Sequence, residues 1–566
     1  MKEKQIQVRE ILFPVLFLVV TVCICIPGIV FLENSHEFLV SYVHVLPCLL
    51  IPAAAVFTVC LGAGWLVRKK KTLCEIYIDL IFGFSMGMYL QSNVLNSGLS
   101  QLDGTEIVWD YGSGEALLSI AVWIVCLALP HILRRVAGGF WRKISLYGSM
   151  LLIIMQTGSL VPLVLSTTPD ISSSHALTKV NEFELSADRN TVVFVVDTLD
   201  AQWAEKYIIA EPAWEEKLTD FTYFNNVVSG GAPTVLGMPA LLTGEVYDRA
   251  DEYREFIRKA NEGNELFADL RKADVTVRMY TLLKYLEGTD LDLIENAIRP
   301  EEEYRPADPV RFTRGLYKLT AFVGMPYQLK KYFVIYTGVL TNNAKLVNTS
   351  DEGYILDDPQ FYMDFTDGEG IVPSEREAVF VLYHLKGAHG PYTMNENAES
   401  VAESTSSLKQ QILGSMKIIS EFISDMKEKG LYDRSTIIIT ADHGGVALYQ
   451  NPAVFVKMTD EHHPLRTNAA PLTFRNLRAT IAGSLLTDPG EGYGAGMFDV
   501  DEAAEVPVRQ HTYAAVLHKK VFPDRQVSDS GWLRCWIGNP ARNNDLIIPE
   551  EETQGEGVPV DRADSP

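Results

Sequence analysis

The first 168 residues contain five apolar runs long enough to cross a lipid bilayer, at roughly residues 11–32, 39–67, 73–91, 116–133 and 144–166. A span takes about 20 mainly apolar residues, and with no water in the bilayer core only a helix or a closed barrel satisfies its own backbone there. Unalternated runs of this length leave helices as the solution. The first run is too long, and is followed by too many others, to be a cleaved leader. Pro47 and Pro52 put a kink in the second. The reading is a five-helix transmembrane anchor over residues 1–168.

Charges between the runs set a direction. Lys2, Lys4 and Arg9 precede the first run, Arg68 and Lys69 to Lys71 follow the second, and Arg134, Arg135, Arg142 and Lys143 follow the fourth. The loops around Glu33–Glu37 and Asp103–Glu115 carry no Lys or Arg. By the positive-inside rule the N-terminus is cytoplasmic and everything after the fifth run is outside. Residues 1–168 carry 11 Lys+Arg against 10 Asp+Glu; the totals of 49 and 72 leave 38 against 62 for residues 169–566. So acidic a domain repels nucleic acid and anionic lipid, and neither is expected as a general partner. Six of the seven cysteines lie in or beside the apolar runs, and Cys535 alone lies outside. The outer part therefore has no disulfide of its own and relies on a large core.

Residues 169–188 are polar and read as a linker. Then N190-T-V-V-F-V-V-D197, A378-V-F-V-L-Y-H384, S435-T-I-I-I-T-A-D442 and A453-V-F-V-K457 are apolar, β-branched and unalternated, as strands buried on both faces of a parallel sheet are. Helical stretches, among them 250–272 and 404–429, lie between them. The pattern is α/β, with a mainly parallel central sheet flanked by helices over residues 189–499. Residues 500–566 form a C-terminal extension, with added strands near Q510–H518 and G531–I537 and an acidic disordered tail from Glu550. His511 and His518 read as packing residues.

Ligands of such folds bind at the carboxyl ends of the strands. Three strands end in groups suited to metal or phosphate: Asp197, His384 with His389, and Asp442 with His443. One acid at a strand end is an ordinary turn residue, but three coincident ends are not explained by turns. A fourth element, S229-G-G-A-P-T234-V-L-G, runs from a strand-like stretch into a short apolar helix starting at Thr234. Thr234 is either a helix cap or a hydroxyl in the positive field of a helix N-terminus, where an alkoxide is favoured.

V-V-F-V-V-D197, the Gly-Gly-x-x-Thr234 turn with Pro239, H384-x-x-G-x-H389-G-P-Y392 and T-A-D442-H443-G follow one order. Over residues 188–485 that order resembles the alkaline phosphatase/sulfatase superfamily, in particular its membrane-anchored phosphotransferases, the lipoteichoic acid synthases and lipid A phosphoethanolamine transferases. The resemblance implies that Asp197, Thr234, Asp442 and His443 hold one divalent cation, and that Thr234 is the catalytic nucleophile. It gives His389 to the substrate phosphate, and His384 either to the phosphate beside it or to a structural place at the strand end. Oxygen ligands with one imidazole suit manganese, with magnesium or zinc as alternatives.

The chain departs from the family at three places. The transferases usually carry Glu where this chain has Asp197. The Cys/Ser-x-Pro-x-Arg signature of formylglycine sulfatases is absent. The loop after Asp442-His443-Gly444 is short and lacks a further histidine, so a second metal depends on His462 or His463 in E461-H-H-P-L-R466. His463 and Arg466 enter as added substrate-binding candidates; Lys386, like Arg466, reads either as an anion binder or, first, as solvated surface charge. The implied activity is transfer of phosphoglycerol or phosphoethanolamine from phosphatidylglycerol or phosphatidylethanolamine to a cell-surface glycan or glycolipid, through a phospho-threonine. The implied place is the bacterial plasma membrane, with the catalytic domain outside. Two alternatives stand beside it: a sulfatase-like phosphodiesterase or sulfuric ester hydrolase, and an inactive binding protein on the same fold.

Overall fold

The computed structural model describes residues 6–35, 38, 40–96, 102, 109–166, 175–248, 252–298, 304–335, 340, 343, 345–346, 353–445, 451–505, 509–514, 532–539 and 543–547. By internal contacts the chain divides into two units. The first is Met1–Leu102, Ile107–Ser174 and Arg299–Gly353; the second is Asp103–Glu106, His175–Ile298 and Tyr354–Pro566.

In the first unit four helical runs among the described residues have the length and apolarity to cross a membrane: Val8–Glu33, Tyr42–Val67, Lys71–Val94 and Gly114–Ser166. Five were expected. The difference lies in the last two, which join into one run of 53 residues. Its backbone leaves helical geometry at Ala137 (φ −140°, ψ 48°), beside Gly138-Gly139, and is helical again before Lys143. A straight helix of that length would measure about 80 Å at 1.5 Å per residue. That is well over twice a hydrocarbon core of about 30 Å, so the break at Ala137 is what makes the run compatible with a bilayer. The amphipathic helix Pro309–Gly324, which the sequence reading set inside 189–499, groups with this unit. Its Tyr317 hydroxyl bonds the Cys23 and Leu49 carbonyls at 3.0 and 3.3 Å.

The second unit is built on a seven-stranded sheet. In chain order its strands are β1 Arg189–Val196, β2 Thr222–Phe224, β3 Val275–Tyr280, β4 Ala378–Leu385, β5 Ser435–Thr440, β6 Val454–Lys457 and β7 Arg466–Asn468. They lie in the order β7-β2-β6-β5-β1-β4-β3. Only β6 runs against its neighbours; the other pairings are parallel. Every residue of β3, β4 and β5 is buried. Both faces are covered. On one, Thr191 Oγ1 meets Ser484 Oγ of helix Phe474–Leu485 at 2.7 Å. On the other, Phe194 packs edge-on against Phe422 of helix Leu408–Glu428 with 5.2 Å between centroids. Residues three apart on a strand point to opposite faces, so helices flank the sheet on each side.

The expected linker is structured in its second half. Ala176–Leu177 pairs with Ala297–Ile298, and Glu184–Ser186 with Val372–Ser374. The polarity of this segment is internal pairing: buried Arg278 donates from Nε to Glu295 and from Nη2 to Glu184, both at 2.6 Å. Nearby, burial pushes the Glu182 carboxyl up to about 8, with Lys179 opposing and Asp364 adding to it. An acid whose folded pKa is raised contributes its stability below its unfolded value and loses it as pH rises through the folded one. The stability of the full chain against thermal unfolding is therefore expected to fall between about pH 4.5 and 8, by up to about 5 kcal/mol. Glu182→Gln should flatten that slope and leave the variant the more stable of the two at pH 8.5.

The extension supplies the strands Arg509–Ala514, Trp532–Asn539 and Asn543–Ile547. The acidic end from Glu550 lies outside the described residues.

Candidate metal centre

Register brings the polar strand ends level. Leu385 pairs with Val196 and Thr440 with Val195, so Asp197 and Asp442 emerge side by side from β1 and β5. The backbone N–H of Thr198 donates to Asp442 Oδ1 at 3.1 Å. One ligand atom each from Asp197, Asp442 and His443 lies within 4.8 Å of the others, and all three residues are buried. The His443 Nδ1 faces the Gly444 carbonyl at 2.7 Å, which makes it the protonated nitrogen and leaves the Nε2 lone pair directed inward. That Nε2 is 3.5 Å from Thr234 Oγ1.

Thr234 is the first residue of helix Thr234–Thr243; Pro233 takes the cap position, so the hydroxyl is not spent on capping. The cap reading of Thr234 is thereby excluded. The helix approaches the Asp442 turn so closely that a Cβ at Gly237 would stand 2.5 Å from the Asp442 carbonyl oxygen. Gly237→Ala must therefore push Thr234 away from the acids. Divalent-cation affinity, read by calorimetry on the full chain, is expected to fall tenfold or more.

Does this donor set fit a cation? Asp197 Oδ1 and Asp442 Oδ2 are buried with no hydrogen-bond partner. Burial raises the Asp442 carboxyl and the charge on Asp197 raises it further. Burial works against the Asp197 anion too, yet His389, His384 and His443 hold its pKa below the usual value. Two enclosed carboxylates with bare oxygens are costly unless a cation sits between them. Two carboxylates, one imidazole nitrogen and a hydroxyl fit a divalent metal. Among the described residues this is the one group of acids and histidines so arranged.

His384 is fully buried, with Nε2 3.8 Å from Asp197 Oδ2 and Nδ1 2.9 Å from Thr281 Oγ1. Half-buried His389 bonds the Gly390 carbonyl through Nδ1, and its charge acts on Asp197. Both therefore come to the centre. His463 and Arg466 do not. Arg466 pairs with Thr222, Thr222 with Val456, and Val456 with Ile438, which precedes Asp442 by four residues. Four residues and three strands amount to roughly 20 Å. His463 and Arg466 instead face Glu461 at 3.7 and 3.2 Å, and His462 is exposed. No second cation site follows from this histidine pair. Residues 446–450, just after the Asp-His turn, lie outside the described residues.

Two further residues at the centre had little sequence signal. Lys386, read as surface charge, is buried; burial lowers its pKa to about 8 against the pull of Asp358. Asp358 anchors the turn between β4 and His389, accepting from Lys386 N at 2.6 Å, Gly387 N at 3.0 Å and Ser415 Oγ at 3.1 Å. Its D357-D-P-Q360 context announces a helix start and nothing more. His511 is fully enclosed, as a packing residue should be, and sits close enough to His443 for their charges to interact. It arrives on Arg509–Ala514, which pairs in parallel with Gly231–Ala232, just ahead of Thr234.

A mainly parallel sheet that presents acids, imidazoles and a helix-borne hydroxyl at the carboxyl ends of its central strands defines an α/β domain with its ligand site at the strand ends. Residues 189–470 match the family model described as Sulfatase; the domain is a sulfatase-family domain of the alkaline phosphatase/sulfatase superfamily. Among solved structures the chain is similar to the lipoteichoic acid synthase LtaP from Listeria monocytogenes, at 10% identity over 69% of this chain and 91% of that one, TM-score 0.34. It is similar also to the phosphonate monoester hydrolase SpPMH from Silicibacter pomeroyi (13%, 65% and 90%, TM-score 0.36) and to the PsFucS1 sulfatase from Pseudoalteromonas sp. (12%, 66% and 83%, TM-score 0.36). No curated protein matches.

Proposed function

We propose that this chain is a metal-dependent membrane phosphotransferase, which moves phosphoglycerol or phosphoethanolamine from a phospholipid to a cell-surface glycan or glycolipid. The observation that carries the reading is Thr234 Oγ1 at a helix start, 3.5 Å from His443 Nε2 and beside the paired carboxylates, in a chain with four membrane-length helices. Asp197, Asp442, His443 and Thr234 would hold a divalent cation, manganese on ligand type, which when bound draws charge from the phosphoryl oxygens and favours the threonine alkoxide. Thr234 Oγ1 attacks phosphorus in line. A Thr–O–P bond forms, the bond to the lipid oxygen breaks, and diacylglycerol leaves with the threonine's proton. His389 and His384 orient the phosphate, and the helix N-terminus offsets charge on its oxygens. An acceptor hydroxyl then attacks the phospho-threonine and restores the free side chain. The positively charged loops support an N-terminus inside and the second unit outside a bacterial plasma membrane.

A second reading, a hydrolase with water as acceptor, is favoured by one residue: Asp197 stands where the resemblance gives Asp to sulfatases and Glu to transferases. Mass spectrometry of the full chain in detergent, with manganese and phosphatidylglycerol, separates the two. A gain of about 154 Da on Thr234, the composition of a phosphoglycerol ester, that is discharged onto a glycolipid supports transfer. Discharge onto water alone supports the hydrolase.

A further inference from the structure

Within the first unit a cavity of about 350 Å³ opens between the end of Val8–Glu33, the end of Lys71–Val94 and the final stretch of the helical run that closes at Ser166. Its size suits a small ligand or a lipid headgroup. The polar wall is Glu33, Tyr89, Ser92, Asn93, Gln156 and Ser159. Among the described residues no Lys, Arg or His lines it.

The donors on that wall are mostly committed. Ser92 Oγ donates to the Tyr89 carbonyl at 3.1 Å, Asn93 Nδ2 to the same carbonyl at 2.8 Å, and Ser159 Oγ to the Met155 carbonyl at 3.0 Å. Gln156 is buried, and its Nε2 donates to Thr21 Oγ1 at 3.0 Å and to the Leu152 carbonyl at 3.3 Å. What remains is the Tyr89 hydroxyl, both donor and acceptor, among groups that only accept: the Gln156 and Asn93 amide oxygens and the Glu33 carboxylate. A phosphate brings only acceptors and a negative charge, and the exposed Glu33 carboxylate on this wall repels it. A free hydroxyl brings the missing donor. Ile29, Met155 and Val323 add an apolar side for a glycerol backbone or acyl chain. An independent feature marks the same place. The first helix widens to π geometry over Val20–Cys25, Cys25 lines the cavity, and Gln156 bonds Thr21 within that turn. Such π turns concentrate at functional positions.

We infer that this cavity binds a neutral lipid with free hydroxyls, a diacylglycerol or a glycosylated diacylglycerol, and excludes phospholipid headgroups. The binding chemistry stands by itself; the ligand's role as leaving lipid or acceptor rests on the phosphotransfer reading. The test is native mass spectrometry of the full chain titrated with dioleoylglycerol, glucosyl-diacylglycerol and phosphatidylglycerol. One neutral lipid is expected per chain, with phosphatidylglycerol at least tenfold weaker. Gln156→Leu, which removes the acceptor at constant size, and Ser92→Trp, which fills the space, should each weaken neutral-lipid binding tenfold or more. Equal or tighter phosphatidylglycerol binding, or binding unchanged in both variants, overturns the inference. The Thr234 adduct formed from a water-soluble short-chain donor is scored on the same samples. Selective neutral-lipid binding without any adduct sinks the reaction while the cavity assignment stands; an adduct without selective binding does the reverse. The tighter of the two neutral lipids tells product from acceptor.

Discussion

Thr234→Ala is expected to abolish the covalent adduct and to lower turnover of the phospholipid donor by about a thousandfold or more, as loss of a nucleophile does. The fold should survive, because Thr234 opens its helix without capping it and Pro233 accepts the first helical bonds through its carbonyl, from Leu236 N at 2.8 Å and Gly237 N at 3.1 Å. Divalent-cation binding should weaken and persist, since Asp197, Asp442 and His443 remain. Thr234→Ser should restore both adduct and turnover in part. An alanine variant with unchanged turnover would remove the threonine from the chemistry, and with it the phosphotransfer reading.

Arg509→Met is the second large effect. Arg509 is buried and donates from Nη1 to the Asn226 and Leu472 carbonyls at 2.9 and 2.8 Å, and from Nη2 to Asn226 Oδ1 at 2.8 Å. These bonds fix the strand Arg509–Ala514, whose Thr512 N–H reaches the Gly230 carbonyl at 3.1 Å. Gly230 and Gly231 lie in the stretch that delivers Thr234. Methionine keeps the bulk but leaves three buried oxygens without this donor, a cost of about 3 kcal/mol or more. A clear fall in melting temperature is expected, together with a fall in adduct formation, in a residue far along the chain from the centre. Arg509→Lys should recover part of both, because one cation still reaches the carbonyls. Unchanged adduct formation in a folded Arg509→Met chain would mean that the extension does not position the nucleophile stretch.

Much of the architecture was legible because its signals are local. The run T-I-I-I-T before Asp442 is a strand buried throughout, and its apolar, unalternated pattern says so without any partner. The helix start at Thr234 also follows from nearby residues. The failures are those of range. Residues 176–188 look like a solvated linker because nothing local reveals that Glu184 will meet Arg278. His463 and Arg466 look like anion ligands until the register carries them roughly 20 Å along and across the sheet. Lys386 looks exposed until Asp358, 28 residues earlier, closes the turn over it.

The sequence by itself determined that this chain carries membrane-length helices, a mainly parallel sheet, and acids and histidines at its strand ends, since hydrophobic period and strand-end chemistry are written in neighbouring residues. Tertiary structure alone decided which of those ends meet, that Pro309–Gly324 joins the helix bundle, and that strand Arg509–Ala514 returns beside Gly231. Those outcomes depend on pairing register and on burial between distant segments, and no run of adjacent residues encodes either.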